Sequence, residues 1–152
     1  MQDGITRYQG ADLSGRYRFD SQLTVIAGVM LLDAKYEEAA ANLNGKRTTG
    51  TPRVQAALAA TYNVAALPGL SLNGGLKYIG AAYLDTANTY RLSPYTTVDA
   101  GASYSTRLVG KDVTFTAAIQ NLAGHRYWIY NGGNYIASGA PRTVSLNARM
   151  AF

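Results

Sequence analysis

Apolar and polar residues alternate with a period of two in segment after segment, the pattern of strands with one dry and one wet face. In the last segment Val144, Leu146, Ala148, Met150 and Phe152 share one side, while Thr143, Ser145, Asn147, Arg149 and Ala151 share the other. Residues 112–122 repeat this, with Val113, Phe115, Ala117 and Ile119 opposed to Thr114, Thr116, Ala118 and Gln120. Val98, Ala100, Ala102 and Tyr104 oppose Thr97, Asp99, Gly101, Ser103 and Ser105, and Leu70, Leu72, Gly74, Leu76 and Tyr78 oppose Ser71, Asn73, Gly75 and Lys77. Upstream, the apolar sets are Val54, Ala56, Leu58, Ala60, Tyr62 and Val64; then Leu23, Val25, Ala27, Val29 and Leu31; then Ala11, Leu13, Gly15, Tyr17 and Phe19. The fold class is therefore all-β, an antiparallel up-and-down meander of about seven strands. Each is about ten residues or slightly more, enough to cross a bilayer when tilted.

The connections alternate in length. Short turns are expected at Asp20-Ser21, at residues 65–69 and at Val109-Gly110-Lys111, and long loops at 34–51, 85–93 and 125–139. Tight and long ends then fall on opposite rims, as in outer-membrane barrels with periplasmic turns and extracellular loops. Aromatic residues form two belts, Tyr17, Phe19, Tyr62, Tyr104, Phe115 and Phe152 toward the short rim and Tyr78, Tyr83, Tyr95, Tyr127 and Trp128 toward the long one. Rings at headgroup level are a feature of membrane barrels. Arg16, Arg18, Lys77 and Arg149 point to the other face, which a wet lumen tolerates and a dry sandwich core does not.

Composition narrows the classes further. Only 15% of the 152 residues are charged, against roughly 25% in an ordinary soluble domain. Twelve Tyr and sixteen Gly favour strands and turns. No run of about 18 apolar residues is present, which excludes a transmembrane helix. The mean hydropathy of −0.10 is what alternating lipid-facing and lumen-facing residues produce. The absence of Cys removes disulfides, thiolate metal sites and a Cys nucleophile together. A net charge of +5 is spread singly along the chain, so no basic patch marks a nucleic-acid partner. Residues 1–7 lack the pattern of a secretory signal, and an export signal is expected upstream.

The chain resembles the TonB-dependent siderophore receptors of the ferrichrome and hydroxamate type. The resemblance is carried by Gly45-Lys46-Arg47 with Thr51-Pro52-Arg53, then Leu67-Pro68-Gly69-Leu70-Ser71-Leu72 and Gly74-Gly75-Leu76-Lys77-Tyr78-Ile79-Gly80. Asn88-Thr89, Pro94-Tyr95-Thr96-Thr97-Val98-Asp99-Ala100, Asn121-Leu122 with Arg126-Tyr127, and Gly139-Ala140-Pro141-Arg142 follow in order. After Asn121-Leu122 the family has an aromatic residue and Asp where this chain has Ala123-Gly124, so a looser turn is expected there. The resemblance implies a sector of a 22-stranded transmembrane barrel in the outer membrane of a Gram-negative bacterium. Residues 1–152 would be its C-terminal segment, with the N-terminal plug, the earlier strands and the TonB contact lying outside this sequence. It also implies a ferric siderophore as transported ligand, membrane lipid around the barrel, and Met150 and Phe152 as the C-terminal face read by the barrel-insertion machinery. Such a piece alone is expected to be inactive.

No catalytic constellation is visible. His125 is the single His, more consistent with a solvated loop residue than with a ligand contact. No G-x-S-x-G is present, and Asp33, Glu37 and Glu38 have no His or Cys neighbour with which to hold a metal. The expectation is no enzyme, no metal and no cofactor. Among the aromatic and cationic loop residues Tyr83, Tyr90, Trp128, Tyr135, Arg91, Tyr127 and Tyr130, the last three are expected to line the extracellular vestibule, where rings supply contact area and Arg charge-assisted hydrogen bonds. Two rival architectures share the pattern: a small complete barrel, adhesin or pore, with an eighth strand in residues 1–10, and a soluble β-sandwich binding module.

Overall fold

The computed structural model describes residues 4–38 and 42–151. Its strands are β1 (Ile5–Arg18), β2 (Leu23–Glu37), β3 (Val54–Asn63), β4 (Leu70–Ile79), β5 (Ala82–Tyr83), β6 (Arg91–Leu92), β7 (Tyr95–Leu108), β8 (Lys111–Gln120), β9 (Trp128–Tyr130), β10 (Ile136–Ser138) and β11 (Thr143–Met150). Seven of them form one antiparallel sheet in the order β1-β2-β3-β4-β7-β8-β11, and β5/β6 and β9/β10 are separate two-stranded ribbons inside the loops. Consecutive strands of the sheet are neighbours throughout, which is an up-and-down meander. The edges β1 and β11 each pair on one side only.

Register decides the faces. Leu13 lies opposite Val29, Val29 opposite Ala56, Ala56 opposite Tyr78, and Tyr78 opposite Thr96. Nearer the short turns Leu23, Tyr62, Leu72, Ala102, Ala117 and Leu146 form another such row. The apolar sets of all seven segments thus fall on one continuous face. Behind them run Thr24, Thr61, Asn73, Gly101, Ala118 and Ser145. Among the described residues no second sheet covers the apolar side: Leu13 remains 73% exposed and Leu146 78%. A two-layer sandwich would bury these side chains, so that alternative is set aside. Residues 5–18 form a single strand rather than two, so residues 5–10 do not supply the eighth strand that the rival small barrel would need.

β1 and β2, at 14 and 15 residues, are longer than expected, because they continue past the apolar face into charged residues that the hydropathy pattern reads as loop. The short rim agrees with the sequence. Asp20 Oδ1 accepts the Gln22 and Leu23 N–H groups, both at 2.7 Å, and Val109 and Gly110 close β7 to β8 with positive φ of 50° and 78°. Tyr17 and Phe19 meet edge to face at 4.7 Å, and Tyr62 donates to Gln22 Oε1 at 2.9 Å. Tyr95 departs from its expected place. It lies opposite Ile79, in register with Gln55 and Met30, and so faces the polar side rather than the lipid belt. Met150 ends β11, and Phe152 lies outside the described residues.

Candidate ligand site at the loop rim

The three long connections, residues 38–53, 80–94 and 121–142, emerge at one end of the sheet. Each is shaped by polar groups that replace a strand ladder. Asp85 accepts the backbone N–H of Tyr90 at 2.8 Å and of Thr89 at 3.1 Å, and Leu84 N–H donates to Tyr90 O. This turn sets Tyr83 opposite Arg91. Those amide donors, Tyr90 foremost, hold the Asp85 carboxyl below the usual carboxylate range. Gly132, Gly133 and Asn134 all take positive φ and let β9 fold back onto β10.

Asn121 organises the root of the last loop. It is 3% exposed; its N–H donates to Asp99 Oδ1 at 2.7 Å, and its Nδ2 donates to His125 O and Ala140 O at 2.9 and 3.0 Å. Its Oδ1 accepts the His125 N–H at 2.9 Å. With Gly124 N–H on Asn121 O at 2.7 Å, the turn is tight. The looser turn expected from Ala123-Gly124 is therefore absent, because Asn121 takes φ of 48° and Gly124 takes 64°, and the Arg142 guanidinium lies against Gly124.

The loops also bond to one another. Asn88 pairs with the Arg47 backbone in both directions, accepting its N–H at 2.8 Å and donating to its carbonyl at 2.9 Å. Gly50 N–H donates to Tyr83 O at 2.8 Å. Tyr130 lays its ring over Gly50, where a Cβ would collide with it, and its hydroxyl lies 3.2 Å from Thr49 Oγ1. Tyr127 stacks on Tyr95 at 4.0 Å, with the His125 ring near-parallel at 6.3 Å.

Two cavities result. One, of about 280 Å³, lies between the polar face and the loops and is lined by Gln55, Lys77, Tyr95, Trp128 and Tyr130 among others. The other, of about 760 Å³, is lined by His125, Arg126, Tyr127, Trp128 and Arg142 among others. Of the three residues expected in the vestibule, Tyr130 lines the first, Tyr127 the second, and Arg91 is exposed on β6 and lines neither. Tyr95 was missed as a site residue although its odd number, against the even apolar set that begins at Val98, already places it on the polar side. Among the described residues no group of three or more His, Cys, Asp or Glu is placed to hold a metal.

Residues 2–122 match the family model described as TonB dependent receptor-like, beta-barrel. This chain belongs to that family. It is thereby an outer-membrane β-barrel chain of the Gram-negative type. The ferrichrome receptor FcuA of Yersinia enterocolitica is 31% identical over 98% of the chain, and the ferrichrome outer membrane transporter/phage receptor of Escherichia coli is 29% identical over all of it. The chain spans 20% and 21% of the length of these two relatives. Among solved structures, the ferric preacinetobactin receptor BauA from Acinetobacter baumannii superposes with a TM-score of 0.90 at 29% identity, over 97% of this chain and 22% of that one. Such TonB-dependent neighbours are 22-stranded, so seven strands make an arc of the barrel wall. This accounts for the open edges, since unpaired strand edges are not stable in lipid.

Proposed function

We propose that the chain forms the C-terminal arc of the barrel of a ferric-siderophore receptor, with its loop rim contributing to the extracellular vestibule. The observation that supports this best is the interlocked loop cluster over the polar face, which gathers Tyr95, Tyr127, Trp128 and Tyr130 with Lys77, Arg126 and Arg142 around two adjoining cavities. Stacked rings and cations suit a bulky iron chelate. Tyr127 and Tyr130 would touch it from those cavities, and Arg91 would meet it earlier, from its exposed place on β6. The receptor acts by binding and transport, without catalysis or a resident cofactor, and takes no nucleic acid. A plug supplied by the rest of the receptor fills the lumen and carries the TonB contact. Met150 and Phe152 give the barrel-insertion machinery its C-terminal signal. By itself the arc leaves two edges open and carries nothing across the membrane.

Joint replacement of Arg91, Tyr127 and Tyr130 by Ala in the full-length receptor is expected to weaken siderophore binding at least about tenfold by titration in detergent. Unchanged affinity would remove these residues from the site, and iron uptake restored by residues 1–152 alone in a receptor-deficient cell would overturn the arc itself.

A further inference from the structure

On the outward face, the strand pair β1/β2 crosses abruptly from apolar to charged. Ala11 and Leu31 are opposite each other and apolar; the next outward pair is Gln9 and Asp33, and the one beyond it Arg7 and Lys35. Arg47 bridges to Lys35 from the neighbouring loop, so Arg7, Lys35 and Arg47 stand in one row across three backbones. Like charges directly opposite each other in a sheet are destabilising. Among the described residues two carboxylates answer them: Glu37 pairs with Arg7 at 2.7 Å, and Asp33 is shared between Lys35 at 2.8 Å and Arg47 at 2.9 Å. The pairs of Arg7 with Glu37 and of Lys35 with Asp33 are exposed at their cationic ends and contribute little to stability, so these two do not by themselves account for the row. Arg7 and Lys35 side chains remain 53% and 43% exposed, and Arg47, at 21%, is the more sheltered end of the row.

Height fixes the partner. From Ala11 and Leu31 to the row is four residues, about 10 Å along the membrane normal once strand tilt is included. That is headgroup level, continuous with the lipid-facing surface and on the rim of the long loops. We propose that Arg7, Lys35 and Arg47 form a site for the phosphate of an outer-leaflet lipid, whose acyl chains lie along the apolar surface below, at Leu13, Val29 and Leu31. Arg forks suit bidentate phosphate contacts, and a phosphate would relieve the repulsion within the row. The site is independent of which solute the receptor carries.

The test uses the full-length receptor in phosphatidylcholine nanodiscs, titrated with bisphosphorylated lipid A and read by native mass spectrometry. R7Q/K35Q/R47Q is expected to weaken lipid A binding about tenfold or more, while heat-modifiable gel mobility and siderophore affinity stay unchanged. D33N, which removes a competing carboxylate, is expected to strengthen it. Should the triple variant fail to fold, K35Q alone is expected to lower binding about threefold. Equal binding by the variants, equal binding of dephosphorylated lipid A, or equally effective competition by inorganic phosphate, which would mark a free-anion site, overturns the proposal.

Discussion

The two rims of this sheet close their connections by different means. At the short rim each chain reversal is made by its own residues, and neighbouring strands only add to it: Asp20 reaches two and three positions along the chain, Val109-Gly110 turn by backbone conformation, and Tyr62 and Ser105 then bond across to Gln22 and Gly69. At the loop rim the decisive bonds are long-range, with 41 residues between Arg47 and Asn88 and 81 between Thr49 and Tyr130. The short-rim reversals are thus locally encoded. The loop rim is held by bonds between its connections, so loosening one loop is expected to loosen the others.

The sharpest way to break this contrast is Asn121→Ala. It removes a buried amide that answers His125 and Ala140 and leaves those backbone groups short of partners. A loss of about 3 kcal/mol is expected from three hydrogen bonds at about 1 kcal/mol each, seen as a lower midpoint when heat-modifiable mobility of the receptor is followed with temperature. A change below a tenth of that would mean the last loop is held elsewhere.

Asn88→Ala is the next test, and its signature is spread rather than size. Losing both bonds to the Arg47 backbone is expected to destabilise the cluster by about 2 kcal/mol. Limited proteolysis should then quicken in residues 38–53 as well as in 80–94. Faster cleavage confined to 80–94 would show that the loops are independent.

The same contrast marks what the sequence could disclose. Every face of the seven-strand sheet was legible, because parity is strict: the even-numbered set Leu70, Leu72, Leu76 and Tyr78 meets its neighbours without a slip in register. The extension of β1 and β2 was hidden, since Arg7, Asp33 and Lys35 carry no apolar alternation and signal loop to any hydropathy reading. The ribbons β5/β6 and β9/β10 were too short to show a period. Asn88 and Asn121 offered a weak clue, as Asn is among the residues that tolerate the left-handed region they occupy. Their partners 41 and 19 residues away left no trace in local sequence. On the strands parity gave the face of Tyr62, Tyr78, Tyr104 and Phe115, and the same parity corrects Tyr95, which aromatic content alone assigns to the belt; the loop rings Tyr127 and Tyr130 had no period from which to read a face.

Back at the short rim, Val109 supplies the opposite kind of test. It sits at φ 50° and fully exposed, a conformation in which a β-branched side chain is strained. A two-residue turn with positive φ at both positions prefers Asn-Gly. Val109→Asn is therefore expected to stabilise the β7–β8 hairpin by about 1 kcal/mol, measured as slower amide exchange at Leu108 and Lys111 with the loop rim unaffected. Exchange slowing at both rims would contradict their independence.

Acid gives the smallest effect and the one point where the rims should agree. Asp20 and Asp85 each accept backbone N–H groups, from Leu23 and Gln22 in the first case and from Tyr90 and Thr89 in the second, and each has its carboxyl pKa lowered by them. A pKa lowered by folding means the contribution is fully present above the unfolded value near ~3.9 and is lost as pH falls through the folded value. Amide exchange at Leu23 and Tyr90, corrected for intrinsic rate, should thus stay constant from neutral pH down to about 4 and lose protection only below it. At the short rim that loss should end at the Asp20 turn. At the loop rim the Asp85 turn holds Asn88 against Arg47, so protection at Arg47, 41 residues from Asn88, should fall together with Tyr90. If Tyr90 loosens in acid while Arg47 does not, the loops are neighbours and not a unit.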